Sequence, residues 1–425
     1  MPKKDNEVTD GKGTPFLKNY DATKEKKKKK TGKKRLKPIR MPYEGRDVPH
    51  IVIEVNQKCN IKCHACYKNK FGYTKPLEDI KEEIDIAISK RNLSVITLAG
   101  GEPTLHPELP EVIKYVKSRG IYCQFLSNGL SLTDELLQTY KKAGLNKVYI
   151  HIDSLQTRPD MPTITDEKSL HPLREKIGAM VRRNGLNCAL AFTLYKKNFH
   201  EIQDVVDFVI KSPNYERMLI TCCTDFTEIA DKFNSFPEAN EDKPGMLKPQ
   251  MVVSIKEIIR VLRNSLGMNP YAYVGSSHNV RTMRWIFYYS FCVRYPGGDP
   301  IPFHMQTEFG RLVRYVNMIS KKLKGKYPFG RVMSGWKSVL VCCLYALMSF
   351  NIKIVLQTIA FLLNLLRDGA EIHQRSFVFQ TGPTVNKDGE IEYCRNCPDS
   401  TVRNGELVPV CMADFKYPIT KTDKS

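Results

Sequence analysis

Between residues 50 and 211, short apolar runs and amphipathic stretches alternate about six times, and nothing else in the 425-residue chain constrains its fold as strongly. Residues 51–55 (IVIEV), 95–98 (VITL), 122–126 (YCQFL), 147–152 (KVYIHI) and 187–194 (NCALAFTL) read as strands. Residues 77–90, 108–118, 133–143, 170–183 and 200–211 carry apolar positions at helical spacing, with Thr133 as an N-cap. Strands that alternate with helices pair in parallel, and such units close most naturally into a barrel. The expected class is therefore α/β: a partial (β/α)6 TIM-type barrel with a helical, apolar insertion and a small C-terminal cysteine-rich extension. The expected boundaries are a basic arm over 1–45, the barrel over 46–215, a variable substrate-side region over 216–330, an apolar helical segment over 331–370 and the extension over 371–425.

The polar motifs fall where strands end. In such barrels those ends form the active face. Cys59, Cys63 and Cys66 follow the first strand in C-x3-C-x2-C spacing; Gly100, Gly101 and Glu102 follow the second; Ser127, Asn128 and Gly129 the third; Asp153 the fourth. Thiolates are the soft ligands that iron–sulfur clusters require. Three of them can hold three corners of a 4Fe–4S cube and leave one iron open for a further ligand, the mark of a catalytic metal site. Zinc is the competing reading. Common zinc sites pair two C-x2-C knuckles, however, and no second pair lies nearby, although His64 is within the loop.

C-N-I-K-C-H-A-C, followed in order by GGEP at 100–103, SNG at 127–129 and Asp153, resembles the signature of the radical S-adenosylmethionine (radical SAM) superfamily over about 50–215. The resemblance implies an enzyme. The methionyl group of S-adenosylmethionine chelates the open iron, one electron splits the sulfonium, and the 5′-deoxyadenosyl radical takes hydrogen from a substrate. It also implies a reducing partner such as ferredoxin or flavodoxin. Gly100 and Gly101 would leave room for backbone to reach the methionyl ammonium, Ser127 and Asn128 would meet its carboxylate or the ribose, and Asp153 would accept a ribose hydroxyl or face substrate. Ala65 stands where the family carries an aromatic residue beside the adenine, so Tyr67 becomes the substitute aromatic contact.

A second thiol set, Cys394, Cys397 and Cys411, resembles in outline the C-terminal extensions that hold an auxiliary iron–sulfur cluster in this superfamily. A zinc knuckle or an unmetallated fold element are the alternatives. Cys222, Cys223, Cys292, His373 or an external group could complete the set. Cys123, Cys188, Cys342 and Cys343 lie in apolar runs and read as inert core thiols.

Charge is unevenly placed. Of the net +21, about +10 falls in the first forty residues, where 15 Lys/Arg stand against 5 Asp/Glu and residues 26–30 are all lysine. Low apolar content makes this a disordered arm, drawn either to nothing in particular or to an anionic membrane surface. No recognition motif points to nucleic acid. Without an apolar N-terminal stretch no secretory signal is read, and thirteen scattered cysteines suit metal binding in a reducing cytoplasm better than a disulfide framework. Residues 339–366 are strongly apolar but carry Ser349, Asn351, Lys353 and Gln357 near the middle. A lysine there opposes a single membrane span, so two helices breaking near 349–351 are expected, buried against the barrel or facing a membrane or apolar substrate. Three functions follow: radical modification of a lipid or other apolar molecule, radical maturation of a peptide or protein, or a non-catalytic iron–sulfur electron carrier.

Overall fold

The computed structural model describes residues 36–64, 66, 68, 72–161, 163–233, 253–330 and 335–418. The expected arm up to residue 35, and with it the lysine run, lies outside them. So do Ala65 and Tyr67.

Six parallel strands follow one another in chain order: β1 (His50–Asn56), β2 (Val95–Gly100), β3 (Tyr122–Ser127), β4 (Lys147–His151), β5 (Asn187–Leu194) and β6 (Arg217–Cys222). Five helices return the chain between them: α1 (Leu77–Lys90), α2 (Leu109–Ser118), α3 (Asp134–Ala143), α4 (His171–Arg183) and α5 (Ile202–Lys211). The side-chain period of two divides each strand between two buried layers. In β1, Ile51, Ile53 and Val55 pack with Ile80, Ile84 and Ala87 of α1, while Val52 faces a cavity inside the curved sheet. Burial on both faces is why these strands read as near-continuous apolar runs. Thr133 caps α3 by accepting from Leu136 N at 3.2 Å, and Gly144 closes the helix at φ 115°, a conformation costly for any residue with a Cβ.

The sheet passes the expected boundaries at both ends. β6 falls in the region read as variable. Beyond two further helices, α6 (Thr227–Phe233) and α7 (Ile255–Leu266), come β7 (Ala272–Gly275), β8 (Met283–Arg294) and β9 (Ile301–His304). The segment expected to open the C-terminal extension is instead β10 (Glu371–Thr381). It lies inside the sheet, parallel to β6 and antiparallel to β8 from Trp285↔Gln380 to Arg294↔Glu371. At the start of the chain, Ile39–Arg40 pair in parallel with β7, and Met41 and Tyr43 are buried. The folded body thus begins before residue 45.

Two segments close this wall. Residues 327–330 cross the strand beginnings: Ser94 Oγ donates to Tyr327 O (2.6 Å), Lys147 Nζ to Gly330 O (2.7 Å), and Phe329 stacks on His50 at 4.9 Å. They shut the end of the barrel opposite the strand-end motifs, so this part of the expected substrate-side region is a floor. The C-terminal segment, with β11 (Ser400–Arg403), β12 (Glu406–Pro409) and α11 (Val410–Lys416), fills the seam between the sheet's two edges. Its Cys394 bridges to Ser276 after β7, and its Pro398 O lies 3.1 Å from His50 Nδ1 of β1.

Three more helices cover β8 and β9: α8 (Phe309–Lys324), α9 (Trp336–Ser349) and α10 (Ile352–Leu362). Tyr289, Phe291, Phe309, Tyr345 and Phe361 form their shared core. Phe350 turns the chain at φ 51°, and Asn351 Oδ1 caps α10 by accepting from Lys353 N at 3.1 Å. Cys342 is buried as expected; Cys343, one residue on around the helix, is exposed, because only one face of α9 meets the core. No helix among the described residues is long and apolar enough to cross a membrane.

Candidate functional site: two thiol sets on one cavity

The curved sheet encloses a cavity of about 280 Å3. Cys59, Cys63 and Cys66 line it, with Gly100, Gly101, Glu102, Ser127 and Asn128; so do Cys394, Cys397 and Cys411. Residues up to some 350 positions apart in sequence therefore share one chamber. The thirteen cysteines form no disulfide among the described residues.

The first thiol loop is held from two sides. Lys62 and Cys63 pair with Thr157 and Gln156, and His64 N donates to Leu155 O (2.9 Å). On the other side Gly101 N donates to Asn56 O (2.9 Å) and Glu102 N to Lys58 O (2.6 Å). A Cβ on Gly100 would strike the Asn56 carbonyl, and one on Gly101 the Lys58 carbonyl. The space that side chains would fill at these two glycines is taken by the protein's own loop, while both residues still line the cavity. Their side chains are missing so that the cysteine loop can sit against the end of β2.

Glu102 is fully buried and spent within the protein. Oε1 accepts from Thr104 N (3.2 Å), Thr104 Oγ1 (2.6 Å) and Ser127 Oγ (2.8 Å), and Oε2 from Asn128 N (2.7 Å). Four donors meet the roughly four lone-pair sites of a carboxylate. Burial pushes its pKa above the ordinary range, and the donors from Thr104, Asn128 and Ser127 offset only part of that. Glu102 therefore ties two strand ends together instead of presenting a free carboxylate to a cofactor. Asn128 faces the loop: its Nδ2 donates to Asn60 Oδ1 (2.7 Å) and lies 3.9 Å from Cys59 Sγ. Asn60 Nδ2 in turn donates to Ser131 Oγ (2.9 Å). Arg158 Nη1 donates to Asn128 O (2.9 Å) from behind.

Asp153 is fully buried and does not line the cavity. Its Oδ1 accepts from Leu155 N (3.0 Å), which turns the chain so that 155–157 meet the thiol loop. His151 Nε2 lies 2.9 Å from its Oδ2 and 3.0 Å from Thr193 Oγ1. Burial alone would raise the Asp153 pKa; His151 and the Leu155 amide hold it below the ordinary range. The residue that reaches the cavity from this strand end is His151, with Asp153 as its support. Sequence reading missed His151, Asn60 and Arg158. The signal for the first was present: it stands two residues before Asp153, on the same side of a strand that also points Tyr149 inward.

Cys394, Cys397 and Cys411 are drawn together by the seam. Cys394 and Cys397 share a hydrogen bond, and Cys411 interacts electrostatically with both. That hydrogen bond, and then burial, push the Cys397 pKa well up; burial does the same for Cys411. Asp399 lies beside them on the cavity wall. Cys292 and His373, expected as completing ligands, face each other across the far end of β8 and β10, seven residues beyond Trp285 and about 23 Å along the strand. They are too far to take part. Cys222 and Cys223 do line the cavity, their pKa values pushed by burial up to about 12.

A buried charge network locks one thiol set to the other. Lys68 Nζ contacts Glu54 of β1 and Asp414 of α11 (3.1 Å), and Arg403 of β11 contacts the same two carboxylates, at 3.5 Å for Asp414. The donor chemistry of the loop fits an iron–sulfur cluster: three soft thiols on one short stretch, each half-buried and open to the chamber, whereas Cys123 and Cys188 are sealed in strands. Among the described residues, no three Cys, His, Asp or Glu side chains gather around a single metal-ion position.

Residues 53–209 match the family model of the radical SAM superfamily. They are a radical SAM domain. That family implies a 4Fe–4S cluster and S-adenosylmethionine, and its members are enzymes. The chain is 28% identical over 189 residues (42% of this chain, 37% of the relative) to 7,8-dihydro-6-hydroxymethylpterin dimethyltransferase of Methanocaldococcus jannaschii. It is 31% identical over 173 residues (40% and 55%) to a probable GTP 3′,8-cyclase of Thermococcus kodakarensis. Among solved structures, Streptococcus suis SuiB bound to S-adenosylmethionine is similar at 15% identity and a TM-score of 0.39, over 52% of this chain and 47% of that one. The chain spans about half the length of these relatives or less.

Proposed function

We propose that the chain is a radical SAM enzyme acting on an apolar substrate, such as a lipid chain, held in the barrel cavity. The supporting observation is that the three thiols of one loop open onto a closed-floored chamber walled largely by Leu126, Phe192, Leu219, Trp285, Phe329 and Val378. Cys59, Cys63 and Cys66 would hold the cluster, which would supply one-electron reduction of S-adenosylmethionine, with the electron drawn from a ferredoxin or flavodoxin. The chain's own contribution is position and exclusion of water. Glu102 fixes Ser127 and Asn128, Asn128 and Asn60 brace the loop, and Asp153 orients His151 toward the chamber. The floor at 327–330 keeps solvent from the far side.

Cys394, Cys397 and Cys411 are assigned to a second iron–sulfur cluster, supported by the hydrogen bond between Cys394 and Cys397, the electrostatic interaction of Cys411 with both, and the opening of all three onto the same chamber. The raised pKa values of Cys397 and Cys411 keep those two thiols protonated alone; a bound metal would displace the protons.

Anaerobic reconstitution tests the reading. With dithionite and S-adenosylmethionine the protein should form 5′-deoxyadenosine, and Cys63→Ala should not. A deuterated fatty chain should pass deuterium into that product. Transfer from a labelled peptide, with none from the chain, would replace the apolar substrate by a peptide. No 5′-deoxyadenosine from iron-loaded protein would remove the enzymatic reading.

A further inference from the structure

We infer that the outer face of α8, α9 and α10 seats the protein on an anionic lipid bilayer, as a peripheral and not a spanning contact. Among the described residues, every exposed large apolar side chain except Leu36 and Tyr393 lies between positions 315 and 366. Met318 and Leu323 project from α8, Trp336 and Leu347 from α9, and Leu356 and Ile359 from α10; Phe350 at the α9–α10 turn is 87% exposed. Together they present on the order of a thousand Å2 of apolar surface, where an ordinary monomer keeps its largest patch to a few hundred. The inner faces of the same helices are satisfied by the core around Phe309, Tyr345 and Phe361, so the exposure is not an unfinished packing layer.

Charge decides between occupants. Residues 309–367 hold ten Lys/Arg and no Asp or Glu. Among the described residues only Lys321 of that set pairs with an acid, Asp47. A second copy of the chain placed on this face would set cations against cations with nothing to neutralise them, which disfavours a twofold dimer. A bilayer of anionic lipid meets both requirements. The apolar side chains enter the acyl boundary while long basic side chains such as Lys322, Lys324 and Lys353 extend to phosphate. The helices are too short to cross, which keeps them in the interface plane.

The test uses the full chain and needs no turnover, so its outcome is independent of the radical reading. Flotation with vesicles of equal phosphatidylglycerol and phosphatidylcholine should carry the protein, and pure phosphatidylcholine should carry at least tenfold less. Leu347→Glu with Leu363→Glu, both exposed positions, should cut anionic-vesicle binding at least tenfold with an unchanged melting curve. Lys322→Glu with Lys353→Glu should do likewise. Three results would overturn the inference: no binding to anionic vesicles, binding that survives both variants but disappears when residues 1–35 are removed, or a dimer in light scattering that the leucine variants dissociate without any effect on vesicles.

Discussion

The two thiol sets reach the same chamber by opposite routes. Cys59, Cys63 and Cys66 lie within eight residues of one another on a loop that strand β1 delivers to the active face. They are half-buried and open. Cys394, Cys397 and Cys411 are spread over a turn and the start of a helix, and Cys394 and Cys397 are buried. They converge only because the C-terminal segment is pressed into the seam of the sheet. The contrast separates a site that local sequence builds from one that tertiary packing builds. The first should tolerate loss of the second, whereas the second depends on the barrel wall.

The strongest way to break this contrast is Cys63→Ala. It should bring 5′-deoxyadenosine formation down to background in anaerobic assays while leaving the melting temperature nearly unchanged, since an open loop thiol carries little packing. If the variant instead unfolds, the loop is part of the core and the contrast fails.

Gly101→Ala comes next. The added Cβ meets the Lys58 carbonyl, backbone that cannot swing aside. Loss of more than about 3 kcal/mol in urea unfolding is expected, together with loss of iron from the first site. An alanine variant of near-native stability would show that the loop is not clamped by β2.

Glu54→Gln tests the lock between the sets. Removing one charge from the Glu54, Lys68, Arg403 and Asp414 network should cost about 3–5 kcal/mol, as for a buried pair that loses a partner. The pH dependence is signed. Burial alone would raise the Glu54 pKa, but Arg403 and Lys68 hold it at about 2, below its ordinary value of 4.5. Its contribution is therefore complete above pH 4.5 and lost as pH falls toward 2, an effect of about 3 kcal/mol. Urea midpoints of the wild type should drop through that window, and the difference between wild type and Glu54→Gln should shrink. A difference constant from pH 7 to pH 3 would mean the carboxylate is not held by its partners.

Cys397→Ala should have the smallest effect on the first reaction. Iron content of reconstituted protein should fall from about eight to about four per chain, and 5′-deoxyadenosine should still form. Unchanged iron would leave the second set without a cluster; complete loss of cleavage would make the two sets one catalytic unit.

Much of this was legible in the chain. Period-two strands and helical stretches announce the βα alternation, because each element buries one face against its sequential neighbour. The loop thiols are readable because all three lie on one turn of chain. A further reason for glycine at 101 was not legible: a missing side chain leaves space, and only coordinates show that the Lys58 carbonyl fills it. Asp153 was read as facing a ligand because strand-end carboxylates face the mouth; the turn to Leu155 buries it and brings His151 forward instead. Trp285 and Tyr289 lay in a stretch without evident period, since β8 is buried on both faces and its partner, β10, is remote in sequence.

By itself the sequence determined the parallel half of the barrel, the order of its motifs and the three-thiol loop, all of which rest on contacts between chain neighbours. Only the tertiary structure decided that 371–381 is an inner strand, that 327–330 is a floor, that the last three cysteines share the first chamber and that three helices leave their outer faces bare. Those depend on pairings between distant segments, for which local periodicity carries no signal because each partner's pattern is compatible with many others.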